Sequence, residues 1–190
     1  ATLATNQIAA LTTAQVNAMG SDQLQALTTA QLRALGSAQL AALTSDDLNT
    51  LTAEQLGSLS TARLAALSTT QLNSMSSDDL LALSTQQVRG LTTTQLAGLS
   101  TDTLNTLTTA QFAALSTRQI AALGTDQVAA LESADLMALS TAQLRGLGRG
   151  AVAALDSTDL GVLTSLQLRS LSSAQLRAID TADINGISGD

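Results

Sequence analysis

The chain has 190 residues, a formal net charge of −7, 45% hydrophobic residues, one aromatic residue and no Cys, His, Lys, Trp, Tyr or Pro. Disulfide frameworks, thiolate or imidazole metal sites and nucleophile–histidine catalysis are therefore excluded, and the basic or aromatic platforms that hold nucleic acid are missing. The acidic balance opposes phosphate backbones and anionic membranes, and no apolar run nears the roughly 18 residues needed to span a bilayer.

Leucine-type residues recur at every eighth position from Leu3 to Ile187, making 24 sites, and a second set recurs from Ile8 to Ile184, making 23, without insertion or deletion. Such strict periodicity marks a stacked array in which each unit buries its apolar face only against its neighbours. The expected organisation is a single domain over residues 1–190, opening and closing in mid-phrase as a segment cut from a longer protein. No signal peptide is read in it.

The octad Leu51-Thr52-Ala53-Glu54-Gln55-Leu56-Gly57-Ser58 states the phrase. Its apolar sites are separated alternately by 5 and 3 residues; both are odd, so a strand would throw them to opposite faces. Ala, Leu and Gln also favour helix over sheet. One continuous helix fails as well, because eight residues turn through about 800°, roughly 80° past two turns, and the apolar stripe would circle the helix. The expected fold class is all-α, a solenoid of short helices of about two turns and roughly 10 Å, one per octad.

Helix starts are marked along the chain by Thr12, Gly20, Thr28, Gly36, Thr44, Thr52 and Ser60, and later by Asp156 and Asp180. These residue types satisfy the free amides of a new helix. Three residues on stands Gln in 15 of 23 octads, as at Gln15, Gln31, Gln55, Gln71 and Gln111, which completes a capping box with the N-cap amide. Leu51 before the cap and Leu56 within the helix form a hydrophobic staple, and Asp22, Asp46, Asp78, Asp102 and Asp126 lie in the first turn, where the helix dipole favours them. The residue after the cap is Ser or Thr in 21 of 24 octads, the exceptions being Ala53, Arg149 and Gly189. Pro, ordinarily welcome there, never occurs. Either the amide or hydroxyl at this position bonds to the adjoining coil, or the chain carries a plain bias toward Ser and Thr.

Landmark residues bear on the winding. Asn17, Asn49, Asn73 and Asn105 are spaced by 32, 24 and 32 residues, Asp22, Asp46, Asp78 and Asp102 by 24, 32 and 24, and residues 17–72 align with 73–128 as a duplicated unit of seven octads. Steps of three and four octads read as a stripe on a superhelix with about 3.5 octads per coil, the octad counterpart of a heptad stripe; duplication alone is the alternative. On the first reading the array has about seven coils and is roughly 60–70 Å long at the usual helix spacing. Both leucine sets would fill its core, Ala34, Ala66 and Ala114 would stand where coils touch, and Gln25, Arg33, Asn49, Arg89 and Asn105 would face outward.

Candidates for chemistry are few. Asp46-Asp47 and Asp78-Asp79 would need a cleft that splits their pKa values to act as acid and base, or further oxygens to hold Ca²⁺; they read instead as first-turn charges with Asp in the place of the capping Gln. Gly146-Leu147-Gly148-Arg149-Gly150 lacks the strand and Lys of a phosphate loop and reads as a bent octad. Phe112 occupies a core site. The expectation is therefore a non-enzyme with no catalytic, cofactor-binding or metal-binding residues and no cofactor. Thr28, Thr29, Thr44, Thr52, Thr92, Thr93, Thr108 and Thr109 form hydroxyl rows, interrupted by Ser60, Ser68, Ser76 and Ser84, that a lattice such as ice or a polysaccharide could match. The Arg169 and Arg177 pair is the candidate for a localised binding patch.

The phrase as it stands at Leu27-Thr28-Thr29-Ala30-Gln31-Leu32-Arg33-Ala34-Leu35 and Leu115-Ser116-Thr117-Arg118-Gln119-Ile120-Ala121-Ala122-Leu123 resembles octapeptide-repeat regions of long secreted proteobacterial surface proteins of adhesin-like or haemolysin-like type. The resemblance implies an extracellular or cell-surface location and a role as spacer, stalk or adhesive surface. The partners it implies are a protein or polysaccharide surface and neighbouring domains of the same chain, with no nucleic acid and no membrane insertion.

Overall fold

A computed structural model describes residues 3–187. Among these the chain folds into twenty-two α-helices of four to six residues, from Thr5–Ala9 to Ser173–Leu176, and a closing 3₁₀ turn at Asp183–Gly186, with no strand. Successive α-helices begin eight residues apart, one per octad. None of them reaches the two turns expected from the phrase. The corner between octads takes the difference: Leu35 (φ −61°, ψ 134°) and Gly36 (φ −77°, ψ 165°) are both extended, so two of the eight residues leave the helix. Leu35 N closes the preceding turn by donating to Leu32 O at 3.1 Å, a bond over three residues rather than four.

The α-helical N-caps are all extended, from ψ 146° at Glu132 to ψ 179° at Asp156, and no described residue has positive φ. The corner therefore asks for no left-handed backbone. That is why Gly, Ser, Thr, Asp and even Glu132 interchange at it. Where the cap has a hydroxyl the expected pair of bonds forms, as at Thr12, whose Oγ1 accepts from Gln15 N at 3.2 Å while Gln15 Oε1 accepts from Thr12 N at 2.8 Å.

The described residues divide between two compact units, Ala1–Leu91 and Thr92–Asp190. Within each, a helix packs on the third helix along the chain. In the first, Thr5–Ala9 meets Thr29–Ala34 and Thr13–Asn17 meets Ser37–Ala42; in the second, Thr109–Ala113 meets Ser133–Ala138 and Thr117–Ala121 meets Thr141–Gly146. Both leucine sets form the core, with Leu32, Leu64, Leu96, Phe112 and Leu144 fully buried. Burial of one such side chain contributes roughly 1.5–3 kcal/mol, and repetition of this small contribution holds the array together.

The polar half of the packing comes from the capping glutamines. In the first unit Gln55 Nε2 donates to Leu27 O at 2.7 Å and to Leu24 O at 3.1 Å, and Gln71 and Gln87 repeat this with Leu43 O (2.7 Å) and Leu59 O (2.9 Å). In the second, Gln127 reaches Leu99 O at 2.8 Å, Gln143 reaches Leu115 O at 2.8 Å and Gln175 reaches Leu147 O at 2.9 Å. Donor and acceptor are 28 residues apart in every case. One amide thus caps its own helix through Oε1 and binds the earlier chain through Nε2.

Candidate functional site

Polar side chains able to do chemistry are mostly committed to backbone. Arg33 and Asn49 lie exposed and Asn105 half-buried on the outer side of their helices, but they do not extend freely. Arg33 Nε donates to Ser58 O at 3.1 Å, Asn49 Nδ2 to Ser74 O at 2.8 Å and Asn105 Nδ2 to Ala130 O at 2.6 Å, each 25 residues onward. The fifth helical position points at the carbonyls of the next stretch of chain, which the capping glutamines of that stretch leave unused. Arg63 stands where Gln would and makes only one of its two contacts. Its Nε donates to Leu35 O at 2.7 Å, 28 residues back, while Ser60 loses its side-chain cap.

The acidic pairs are split by the helix they start. Asp47 Oδ2 accepts from Thr44 N at 2.9 Å and from Thr44 Oγ1 at 2.7 Å, and Asp79 Oδ2 accepts from Ser76 Oγ at 2.6 Å, while Asp46 and Asp78 face solvent. No described group of three His, Cys, Asp or Glu converges as a metal site. Asp135 is buried in a Gln place, and burial, reinforced by the charge of Glu132, raises its pKa. Asp159 is raised by burial too, against the hydrogen bond it receives from the Asp156 backbone.

The glycine-rich segment is an ordinary octad. Gly148 caps the helix Arg149–Val152 in the extended region, and Ala151 fills the Gln place, buried. Gly146 serves packing, since a Cβ there would lie 2.7 Å from Thr117 Cγ2; at Gly90 a Cβ would lie 2.5 Å from Thr61 Cβ. Thr61 and Thr117 occupy the position after the cap, so in these octads that position presses its side chain on the small residue of a later octad. Phe112 is wholly buried, as expected, and Arg169 and Arg177 are exposed.

The hydroxyl rows divide by position. Thr28, Thr44, Thr52, Thr92 and Thr108 accept from the amide three residues on; Thr29 is half-buried, and Thr93 and Thr109 are exposed. Two open polar grooves lie among such residues in the first unit. One of about 320 Å³ is lined by Gln25, Thr28, Thr29, Thr52 and Glu54, and another of about 260 Å³ by the residues 32 positions later, Gly57, Ser60, Thr61, Ser84 and Gln86.

Sequence reasoning located the caps and missed the second bond of Gln. Its signal was present: Asp, Asn or Ser could accept from a cap amide, yet Gln alone fills most of these places because it also carries a donor on a long stem. None of the curated proteins matches the chain. The ALTTAQ repeat profile matches it six times, at residues 1–29, 22–53, 74–109, 101–132, 128–165 and 152–188. Matched over most of its length by a profile whose unit is the octad just described, the chain belongs to the ALTTAQ repeat family.

Proposed function

We propose that residues 1–190 act as one structural repeat region, a spacer, stalk or adhesive surface of a secreted or cell-surface bacterial protein, wound at about 3.5 octads per coil. The observation that carries this reading is the commitment of Gln, Asn and Arg side chains to backbone carbonyls 25 and 28 residues away. Residues engaged in holding the chain are withdrawn from chemistry. In this role the region catalyses nothing, takes no cofactor and works through neighbouring domains of its own chain. The test is made on the full-length gene product: an externally added protease should cut the repeat region on intact bacteria, and whole-octad deletions should change reach without abolishing export. Protection from protease on intact cells would overturn the location, and loss of a chemical activity on such deletions would overturn the spacer role.

The paired grooves 32 residues apart favour a second reading, an ordered Ser/Thr surface for a lattice such as ice or a polysaccharide. Ice crystals grown in concentrated protein would then be faceted, and the protein would co-sediment with insoluble polysaccharide. Normal crystal habit together with no co-sedimentation would remove it.

A further inference from the structure

The two ends of the array differ in a way that makes them complementary. At the N-terminal end only the first leucine set is uncovered: Leu3 is 44% exposed and Leu11 and Met19 are half-buried, whereas Ile8, Val16 and Leu24 are buried. At the C-terminal end only the second set is uncovered: Leu176 and Ile184 are 41% and 45% exposed and Leu168 is half-buried, whereas Leu163, Leu171 and Ile179 are buried. The first set is therefore covered by chain that comes earlier, and the second by chain that comes later.

The hydrogen-bonding groups follow the same polarity. Gln7, Gln15 and Gln23 are exposed and use Oε1 on the amides of Ala4, Thr12 and Gly20, but no described residue stands 28 positions before them to receive Nε2. Correspondingly, no described residue stands 28 positions after Leu163, Leu171 and Ile179 to donate to their carbonyls. Three donors and three acceptors, each spaced by eight residues, thus end the array. A cavity of about 200 Å³ lined by Leu3, Met19, Gln23 and Leu27 opens on the donor face.

We propose that the N-terminal face docks the C-terminal face of a second copy of this chain, continuing the internal packing from molecule to molecule. Gln7, Gln15 and Gln23 of one copy donate to the carbonyls of Leu163, Leu171 and Ile179 of the other, and Leu176 and Ile184 seat against Leu3, Leu11 and Met19. The contact is head-to-tail, so it leaves a donor face and an acceptor face free and grows into filaments instead of closing as a dimer.

Sedimentation velocity on the 190-residue chain tests this, with the average mass expected to rise steadily from micromolar to near-millimolar protein. The triple variant Gln7→Glu, Gln15→Glu, Gln23→Glu keeps its cap acceptors but turns carboxylates toward carbonyls; Leu176→Glu with Ile184→Glu spoils the other face. Each variant alone should sediment as a monomer, and an equimolar mixture should form a one-to-one pair and nothing larger, since one good face of each kind remains. Far-UV circular dichroism checks that both variants fold; should the second not, the triple variant mixed with unaltered chain must still shorten the assemblies. In the docked register Ala4 of the second copy takes the step after Ile187, so a chain ending at Ile187 should associate at least as tightly. A chain that stays monomeric throughout, a triple variant that assembles like the parent, or weaker association on removing residues 188–190 would overturn the proposal.

Discussion

At the scale of the residue, the most informative side chain is the capping Gln, because it has two polar ends and uses both. Replacing Gln55 by Glu keeps an acceptor for the Thr52 amide and removes the donor to Leu24 and Leu27. A carboxylate then faces two buried carbonyls, and the expected loss is about 1–3 kcal/mol by urea unfolding. Asp135 is the natural form of that experiment: it is buried in a Gln place, and the residue 28 positions earlier is Leu107. Its raised pKa means that the folded chain takes up a proton the unfolded chain has not yet bound. The stability it contributes is full below the ordinary carboxylate range and is lost as pH rises through the raised value. Asp135→Gln should abolish this dependence and add about 1 kcal/mol at neutral pH, seen as a higher urea midpoint. Gly90 poses the opposite problem, too little room. Ala is the better helix residue by about 0.5–1 kcal/mol, yet its Cβ would overlap Thr61 Cβ at 2.5 Å. Overpacking against a short branched side chain costs about 1–3 kcal/mol, so Gly90→Ala should lower the melting temperature, and the added change Thr61→Ser should restore part of it.

At the scale of the element, helices of four to six residues cannot form by themselves. Nucleation fixes several residues for one hydrogen bond, and isolated helices below about 12–15 residues are marginal even in favourable sequences. Each octad therefore depends on its cap to begin and on its neighbours to persist. Removing the hydroxyl that accepts from Gln111 N, by Thr108→Ala, should cost about 1 kcal/mol in a denaturant titration. A Thr108→Ser control should retain nearly all of the stability. The cap and the staple were legible because they are local: the partners lie three to five residues apart, and an octad contains both. The helix length was not, because it depends on how much chain the corner takes, and Leu35 and Gly36 are extended for the sake of the neighbours they pack on.

At the scale of the molecule, two periods meet. The phrase repeats every 8 residues and the glutamine bonds span 28. The shortest segment containing whole numbers of both is 56 residues, the length of the duplicated unit 17–72 and 73–128. Duplicating that length, and no shorter one, copies every residue together with the neighbours it meets along the chain. Deletion of 73–128 should accordingly leave the ellipticity per residue unchanged, whereas deletion of 101–128 joins Ser100 to Ala129 in mid-phrase and should broaden and lower thermal unfolding, as expected of an array stabilised by nearest-neighbour contacts.

The sequence by itself determined the helical phrase, the two leucine sets, the caps and the absence of any thiol or imidazole, since each of these is a matter of residue type and short-range spacing. Tertiary structure alone decided that Arg33, Asn49 and Asn105 hold carbonyls 25 residues onward instead of standing free, and that the amides of Gln55 and Gln127 reach 28 residues back. A side chain carries its own donors in the sequence. The acceptor it meets depends on which carbonyl the neighbouring octads bring beside it, and that is set by the turning of every corner between them.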